Sequence, residues 1–288
     1  MSVILIADSG STKTDWYLTD NGSVLKTFKT SGLNPYFLDS RQIHTILEKE
    51  FNGSLPSNEL QHIWFYGSGC SSSEKKAVIG HALRDLFPGV DITVEHDLLG
   101  AARALFGYKK GIAGILGTGS NSCLYDGSYV IDTIFSMGYV FGDEGSGAYI
   151  GKKYLTAHLK KSVPAELNDA FQSKYPYTPE DILDNVYKKP FPSKFLASFT
   201  LFLKEHIDHS FVSDMVVQCF DDFFHAQVMV YKGYTELPFS CVGSVGYHFK
   251  DQLKIAAEIN NITITSVLAA PMESLLGFHT SKFESLIP

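Results

Sequence analysis

Apolar and polar positions along this chain switch between two periods. Residues 2–8, Ser-Val-Ile-Leu-Ile-Ala-Asp, form an apolar run that ends in a carboxylate. Such a run suits a strand covered on both faces. Residues 14–20 and 23–30 flank Asn21-Gly22, the strongest short hairpin signal, so the chain is predicted to open with three consecutive strands. The period then lengthens. Ile43, Ile46, Leu47 and Phe51 fall at helical spacing within 39–52. His62-Ile63-Trp64-Phe65-Tyr66 reads as a strand ending in Gly67-Ser68-Gly69, residues 73–87 as an amphipathic helix, 90–95 as a strand and 97–106 as a helix.

The second half restarts the pattern. Residues 112–117 are apolar and end in Gly117-Thr118-Gly119-Ser120, and 121–126 and 128–135 read as two strands across Asp126-Gly127. From 145 to about 233 the spacing is helical, broken near Pro176, Pro179, Pro190 and Pro192. Strands at 238–243 and 262–267 enclose a helix at 245–259, and Pro271 starts a last short helix. Both halves thus read as apolar strand, tight Gly-Ser/Thr turn, strand, Asx-Gly-Ser turn, strand. That order predicts a duplicated domain with one phosphate-type turn in each copy.

Composition narrows the class. The chain has 288 residues, about two domains by length, with 44% apolar and 19% charged residues, which excludes wholesale disorder. Lys plus Arg number 24 and Asp plus Glu 31, a net charge of −7. Without a basic run, such a chain is a poor candidate for nucleic acid or an anionic membrane surface. Cys70, Cys123, Cys219 and Cys241 form no CxxC pair and read as reduced, buried thiols of a cytoplasmic protein. No apolar run approaches a membrane span. The apolar start, Met1 to Ala7, lacks a basic flank and meets Asp8 at once, so it reads as a strand rather than a leader.

Five segments could carry chemistry. In Asp8-Ser9-Gly10-Ser11-Thr12-Lys13-Thr14, Gly10 permits a tight turn that aims amides and hydroxyls at one anion, Lys13 adds charge, and Asp8 suits Mg2+ held through water. The plain alternative is a polar hairpin turn. Gly10 and Lys13 are too far apart for a Walker A loop. Gly117-Thr118-Gly119-Ser120-Asn121-Ser122 lacks the third glycine of a dinucleotide fingerprint and runs into a strand, so a phosphate-gripping hairpin turn remains. Asp97 stands where a strand gives way to a helix, and is either a helix cap or a general base. His96 reads as structural. Asp143 and Glu144 lie among Gly138, Gly142, Gly145 and Gly147, an arrangement suited to close backbone approach and acceptance of sugar hydroxyls, or to a flexible connector. Gly243-Ser244-Val245 ends a strand, the usual nucleotide-binding place in open α/β folds. Asn34, before Pro35, reads as turn chemistry. Phe220, Phe223 and Phe224 read as helix core, and Lys152-Lys153 and Lys160-Lys161 as a solvated helix face.

In this order, with Asp8-x-Gly-Ser-Thr-Lys-Thr-Asp, Asp97, Gly117 to Asn121, Gly142-Asp143-Glu144-Gly145-Ser146 and Val242-Gly243-Ser244-Val245, the chain resembles the N-acetylglucosamine kinase group of the BadF/BadG/BcrA/BcrD ATPases. These belong to the superfamily of actin, hexokinase and the heat-shock chaperone ATPases, and the likeness runs from residue 3 to about 277. The resemblance implies an α/β fold of two RNase H-like, actin-like ATPase lobes, with mixed sheets flanked by helices and a cleft between them. The N-terminal lobe would span 1–111, the C-terminal lobe 112–270, and the helix in 271–288 would pack back on the first. Gly10, Ser11, Thr12, Lys13, Thr118 and Gly119 would meet the ATP phosphates, Asp8 the Mg2+, and Gly243, Ser244 and Val245 the adenosine. Asn34, Asp97, Ser120, Asn121, Met137, Gly138 and Asp143 would contact the sugar, with Asp97 matching the family's proposed base. Two departures stand out. Ser9-Gly10-Ser11 replaces a usual Gly-Gly-Gly, and Met137-Gly138-Tyr139-Val140-Phe141 matches a Gly-Gly-Trp-Gly stretch only loosely. The related dehydratase activators need closely placed cysteines, and Cys70 and Cys123 stand far apart.

The expected activity is ATP-dependent phosphorylation of an amino sugar, foremost N-acetylglucosamine at its 6-hydroxyl, by a cytoplasmic protein with two-fold dimerisation as the default. The alternatives are an ATP- or sugar-binding sensor and an ATPase activator of another enzyme.

Overall fold

The structure is a computed structural model that describes residues 3–10, 12–53 and 60–280. The opening apolar run is strand β1 (Val3–Ser9), buried almost end to end. It pairs antiparallel with β2 (Lys13–Asp20), which pairs antiparallel with β3 (Ser23–Ser31). Asn21 and Gly22 both take positive φ, 46° and 80°, as a primed hairpin turn demands. On its other side β1 runs parallel to β4 (Leu60–Gly67), and β4 to β5 (Asp91–His96), giving the order β3-β2-β1-β4-β5. The crossovers are α1 (Ser40–Phe51) and α2 (Ser73–Leu86), and α3 (Asp97–Phe106) follows β5. An Asp39–Gln42 capping box starts α1 and the Ser72 hydroxyl caps α2. Trp16 is fully buried, meets Phe51 edge-on at 5.0 Å, and donates from Nε1 to Thr30 Oγ1 at 2.9 Å.

The second sheet repeats the first. β6 (Gly111–Leu116) pairs antiparallel with β7 (Ser120–Tyr125), β7 with β8 (Val130–Thr133), and β6 runs parallel to β9 (Phe239–Val242), which runs parallel to β10 (Ile264–Leu268). Its order, β8-β7-β6-β9-β10, is that of the first sheet element for element. A helical insertion separates β8 from β9: α4 (Gly138–Phe141), α5 (Gly147–Leu159), α6 (Ala165–Lys174), α7 (Pro179–Tyr187), α8 (Pro192–Ser198), α9 (Thr200–Glu205), α10 (Ser210–Phe223) and a π turn at Phe224–Val228. Phe220, Phe223 and Phe224 are fully buried there, as core residues. Then follow α11 (Ser244–His248), α12 (Lys250–Ile259) and α13 (Met272–His279).

By contacts the described chain divides into two compact units. One holds the residues up to Lys109, Gly127–Tyr129 and those from Pro271; the other holds Lys110–Asp126 and Val130–Ala270. Each has its own apolar cluster, around Trp16, Phe51 and Phe65 in the first and around Tyr154, Phe171 and Phe220 in the second.

Two expected elements differ. The strand expected at 128–135 is only Val130–Thr133. Gly127, at φ 104°, turns the chain against the Tyr108 carbonyl, so pairing resumes late and the register slips between Leu124 and Tyr125. The helix expected at 245–259 is broken at Phe249, which leaves helical geometry (ψ 29°) to bury its ring in the second core. Burial of a large aromatic, about 2–3 kcal/mol, outweighs one broken helical turn. Among the described residues no helix is long and apolar enough to cross a membrane.

Candidate active site

In the first unit the candidate residues gather at the carboxyl end of the parallel strands, where open α/β sheets bind ligands. Ser9, Gly67 and His96 stand in one register row across β1, β4 and β5. Ser9 ties this edge together. Its hydroxyl lies 2.8 Å from that of Thr14 and accepts from Leu33 N at 3.2 Å, while its carbonyl accepts from Ser68 N at 2.8 Å. Residue 33 is thereby pinned to the end of β1, and Asn34 with it. Asn34 is buried, and its Oδ1 accepts from Tyr36 N at 2.9 Å, which leaves the amide nitrogen as its donor group. Gly69, at φ 81°, is needed beside it, since a Cβ there would stand 2.4 Å from Asn34 Oδ1.

Asp8, one residue before this row, has its carboxyl pushed up to about 7 by burial and then by the charges of Asp97 and Asp15, with Lys13 opposing. Asp97 begins α3, and burial raises its carboxyl to about 6 against the pull of backbone N–H groups, including Leu98 N at 2.9 Å. Two buried acids with raised pKa values at one strand edge are an arrangement that suits general acid–base chemistry. His96, not Asp97, caps α3: its Nδ1 accepts from Leu99 N at 3.3 Å. The capping alternative for Asp97 therefore falls, and His96 has its structural role.

The turn between β1 and β2 is open. Gly10 N donates to Lys13 O at 3.0 Å, Gly10 and Thr12 are exposed, and Lys13 pairs with Asp15 at 2.6 Å. Ser11, expected at the phosphates, lies outside the described residues.

The second unit builds its counterpart from backbone. Gly117 N donates to Gly119 O at 3.0 Å, while Gly117 O and Thr118 O accept from Gly147 N and Ala148 N at 2.8 and 3.0 Å. The first amides of α5 thus hold the β6–β7 turn, and the Thr118 side chain stays exposed. Ser120 Oγ donates to Glu144 O at 2.7 Å, and Ser120 N–H donates to the Asp143 carboxylate. Asn121 Oδ1 accepts from Ser122 N at 2.9 Å. Asp143 is buried at φ 57°, a left-handed conformation rare outside glycine, and burial raises its pKa. Gly119 leaves it room, because a Cβ there would come within 3.0 Å of Asp143 Oδ2. Gly243, at φ 131°, presses on β6: a Cβ would be 2.3 Å from Leu116 O. Ser244 is exposed at the start of α11, and Val245 is buried against the place where α5 begins, near Gly147. Met137 stands at the N-cap of α4 and Gly138 is its first residue, with Met137 packed beside Gly142.

Lys152 is a residue that sequence reasoning misses. Its spacing with Lys153 suits a solvated face, yet its Nζ donates to Tyr139 O at 2.9 Å, burial lowers its pKa, and the charges of Glu144 and Asp143 oppose that shift. Lys153 pairs with Asp222 at 3.4 Å. Lys152 therefore ties α5 to α4. The four-residue spacing from Ala148, at the buried start of α5, was the available signal.

No protein-family model matches the chain, and neither does any curated protein. Solved structures do. The crystal structure of the "Putative N-acetylglucosamine Kinase" from Porphyromonas gingivalis is 42% identical with a TM-score of 0.93, covering 96% of this chain and 99% of that one. The chain belongs to that family. A protein of the same description from Chromobacterium violaceum (17% identity, TM-score 0.73, 97% and 99% of the two chains) shares its fold. So does the ROK family glucokinase of Streptomyces griseus in complex with glucose and AMPPNP (14% identity, TM-score 0.59, 96% and 98%). The fold of this family member, two five-stranded mixed sheets flanked by helices, is the actin-like ATPase fold.

Proposed function

We propose that this protein is an ATP-dependent sugar kinase that phosphorylates an amino sugar, foremost the 6-hydroxyl of N-acetylglucosamine, in the N-acetylglucosamine kinase branch of the BadF/BadG/BcrA/BcrD ATPases. The observation that carries the reading is Asp97, a carboxylate at the strand edge raised to about 6, in a chain 42% identical along almost its whole length to a protein described as a "Putative N-acetylglucosamine Kinase". Near neutral pH Asp97 is ionised yet basic enough to take a proton from an attacking hydroxyl.

Phosphoryl transfer asks mainly for alignment and charge stabilisation. Asn34 donates to the sugar through its amide nitrogen. Asp143, fixed by Ser120 N–H, accepts from sugar hydroxyls beside Asn121, Met137 and Gly138. The turns at Gly10–Lys13 and at Thr118–Gly119 offer hydroxyls and amides to the phosphates, and Gly243, Ser244 and Val245 receive the adenosine. No cluster of three metal-binding side chains occurs among the described residues. Asp8 alone nonetheless fits Mg2+, which takes one or two carboxylates and keeps several waters, and the acids that raise its pKa are what a divalent cation relieves. Bound there, Mg2+ supplies neutralisation of phosphate charge. Cytoplasmic location and a homodimer remain part of the proposal.

The test is ADP release from Mg-ATP with N-acetylglucosamine, glucosamine, N-acetylmannosamine, N-acetylmuramate, glucose, or no sugar. Release that depends on one amino sugar supports the kinase. Release without sugar selects the ATPase activator, and binding without release the sensor.

A further inference from the structure

Tyr66 lies in the strand row of Asp8, paired in register with Asp8 on β1 and Glu95 on β5. Its ring is fully buried, and its hydroxyl has two partners from distant parts of the chain. Arg103 Nη1, on α3, donates to it at 2.8 Å. Nε2 of His279, the last residue of α13, lies 2.9 Å away. The hydroxyl proton needs an acceptor that a guanidinium lacks, so His279 Nε2 accepts it. Burial and the Arg103 charge push His279 down to about 3, which keeps its ring neutral for that bond. Trp64 further fixes the ring, lying 4.4 Å from His279 on one side and 4.3 Å from His62 on the other.

Tyr66 also touches α3 at a second point. A Cβ on Gly100 would stand 2.8–2.9 Å from the Tyr66 ring base, so helix and ring meet with nothing between them. Asp97, Gly100 and Arg103 follow at three-residue spacing and share one face of α3. Two of the three are set directly by Tyr66.

We propose that Tyr66, held between Arg103 and His279, is a positioning residue that fixes the pitch and rotation of α3 and thereby aims the Asp97 carboxylate. This rests on the reading of Asp97 as the base. It also gives α13 a role in the first unit. The chain leaves the second unit at Ala270 and, nine residues on, supplies the acceptor that orients Tyr66.

The test compares wild type with Tyr66→Phe, alone and combined with Asp97→Asn. A misaligned base costs rate rather than nucleotide affinity, so Tyr66→Phe is expected to lower sugar-dependent kcat about 10-fold with KM for ATP unchanged, and to cause no further loss in the Asp97→Asn background. His279→Gln, which keeps an acceptor, retains most of the rate, whereas His279→Leu reproduces the loss. Unchanged kcat in folded Tyr66→Phe, or equal losses with and without Asp97, overturns the proposal. If wild type shows no sugar-dependent turnover, the kinase reading fails separately, and amide hydrogen exchange at Leu98 and Leu99 decides. Faster exchange in Tyr66→Phe, confined to the start of α3, supports the positioning role, and unchanged exchange overturns it.

Discussion

The β1–β2 turn and the β6–β7 turn occupy the same place in two sheets of the same order, and they are held in opposite ways. Side chains add to a single backbone bond, Gly10 N to Lys13 O, in holding the first. Ser9 and Thr14 hydroxyls meet at 2.8 Å, the Asp97 charge raises the cost of ionising Asp8, and a Cβ on Gly10 would find no atom nearer than 3.8 Å. Backbone holds the second. Gly117 and Thr118 carbonyls are spent on the first amides of α5, and Gly243 packs where no side chain fits. The same topology is therefore braced differently in its two copies: hydroxyls and two raised carboxyls crowd the first turn, while peptide groups packed on α5 and β6 fix the second, with Asp143 raised beside it.

The contrast between the turns breaks most visibly at Asp97. Asp97→Asn is expected to lower sugar-dependent kcat by about 100-fold or more with KM for ATP unchanged, since general base catalysis contributes on that order. Steady-state kinetics of the folded variant measures it. Next comes Gly243→Ala, which forces a Cβ toward the Leu116 carbonyl at positive φ. It is expected to destabilise by about 3 kcal/mol in urea titration. Its counterpart Gly10→Ala is expected to stay within about 0.5 kcal/mol, because the space there is open. Equal effects at the two glycines would erase the contrast.

The tension at Asp8 gives a pH signature. A carboxyl raised from 3.8 to about 7 in the folded state binds protons more tightly there than in the unfolded chain. Its contribution to stability is full below pH 4 and is lost as pH rises through about 7. Asp8→Asn is therefore expected to stabilise the protein by about 2 kcal/mol at pH 8 and by little at pH 4, read from urea midpoints. For activity the sign reverses. As the proposed base Asp97 has to be ionised, so kcat/KM is expected to climb with pH through about 6 and then level.

Much of this was legible in the sequence. The hairpins announced themselves through Asn21-Gly22 and Asp126-Gly127, and the repeated order of strand and turn pointed to the duplicated sheets. Asp97 stood out by its place at a strand-to-helix junction and by the family resemblance, with helix capping as the open alternative. What removed that explanation was His96, whose ring nitrogen takes the cap, a choice that no spacing reveals. Ser9 as the knot of the first site was invisible for a similar reason: it acts on an amide distant in the chain, and such a bond leaves no periodic trace. Lys152 as the brace of α4 left only its four-residue spacing from Ala148. The break at Phe249 escaped because helical spacing continues through it, while the ring's burial is decided by tertiary packing.

The most direct measurement is ADP release from Mg-ATP with and without N-acetylglucosamine, run side by side on the wild type and Asp97→Asn. If Asp97 is the base of a sugar kinase, release requires the sugar in the wild type and nearly vanishes in the variant, while ATP still binds both. Sugar-independent release, or full turnover in Asp97→Asn, would contradict that role.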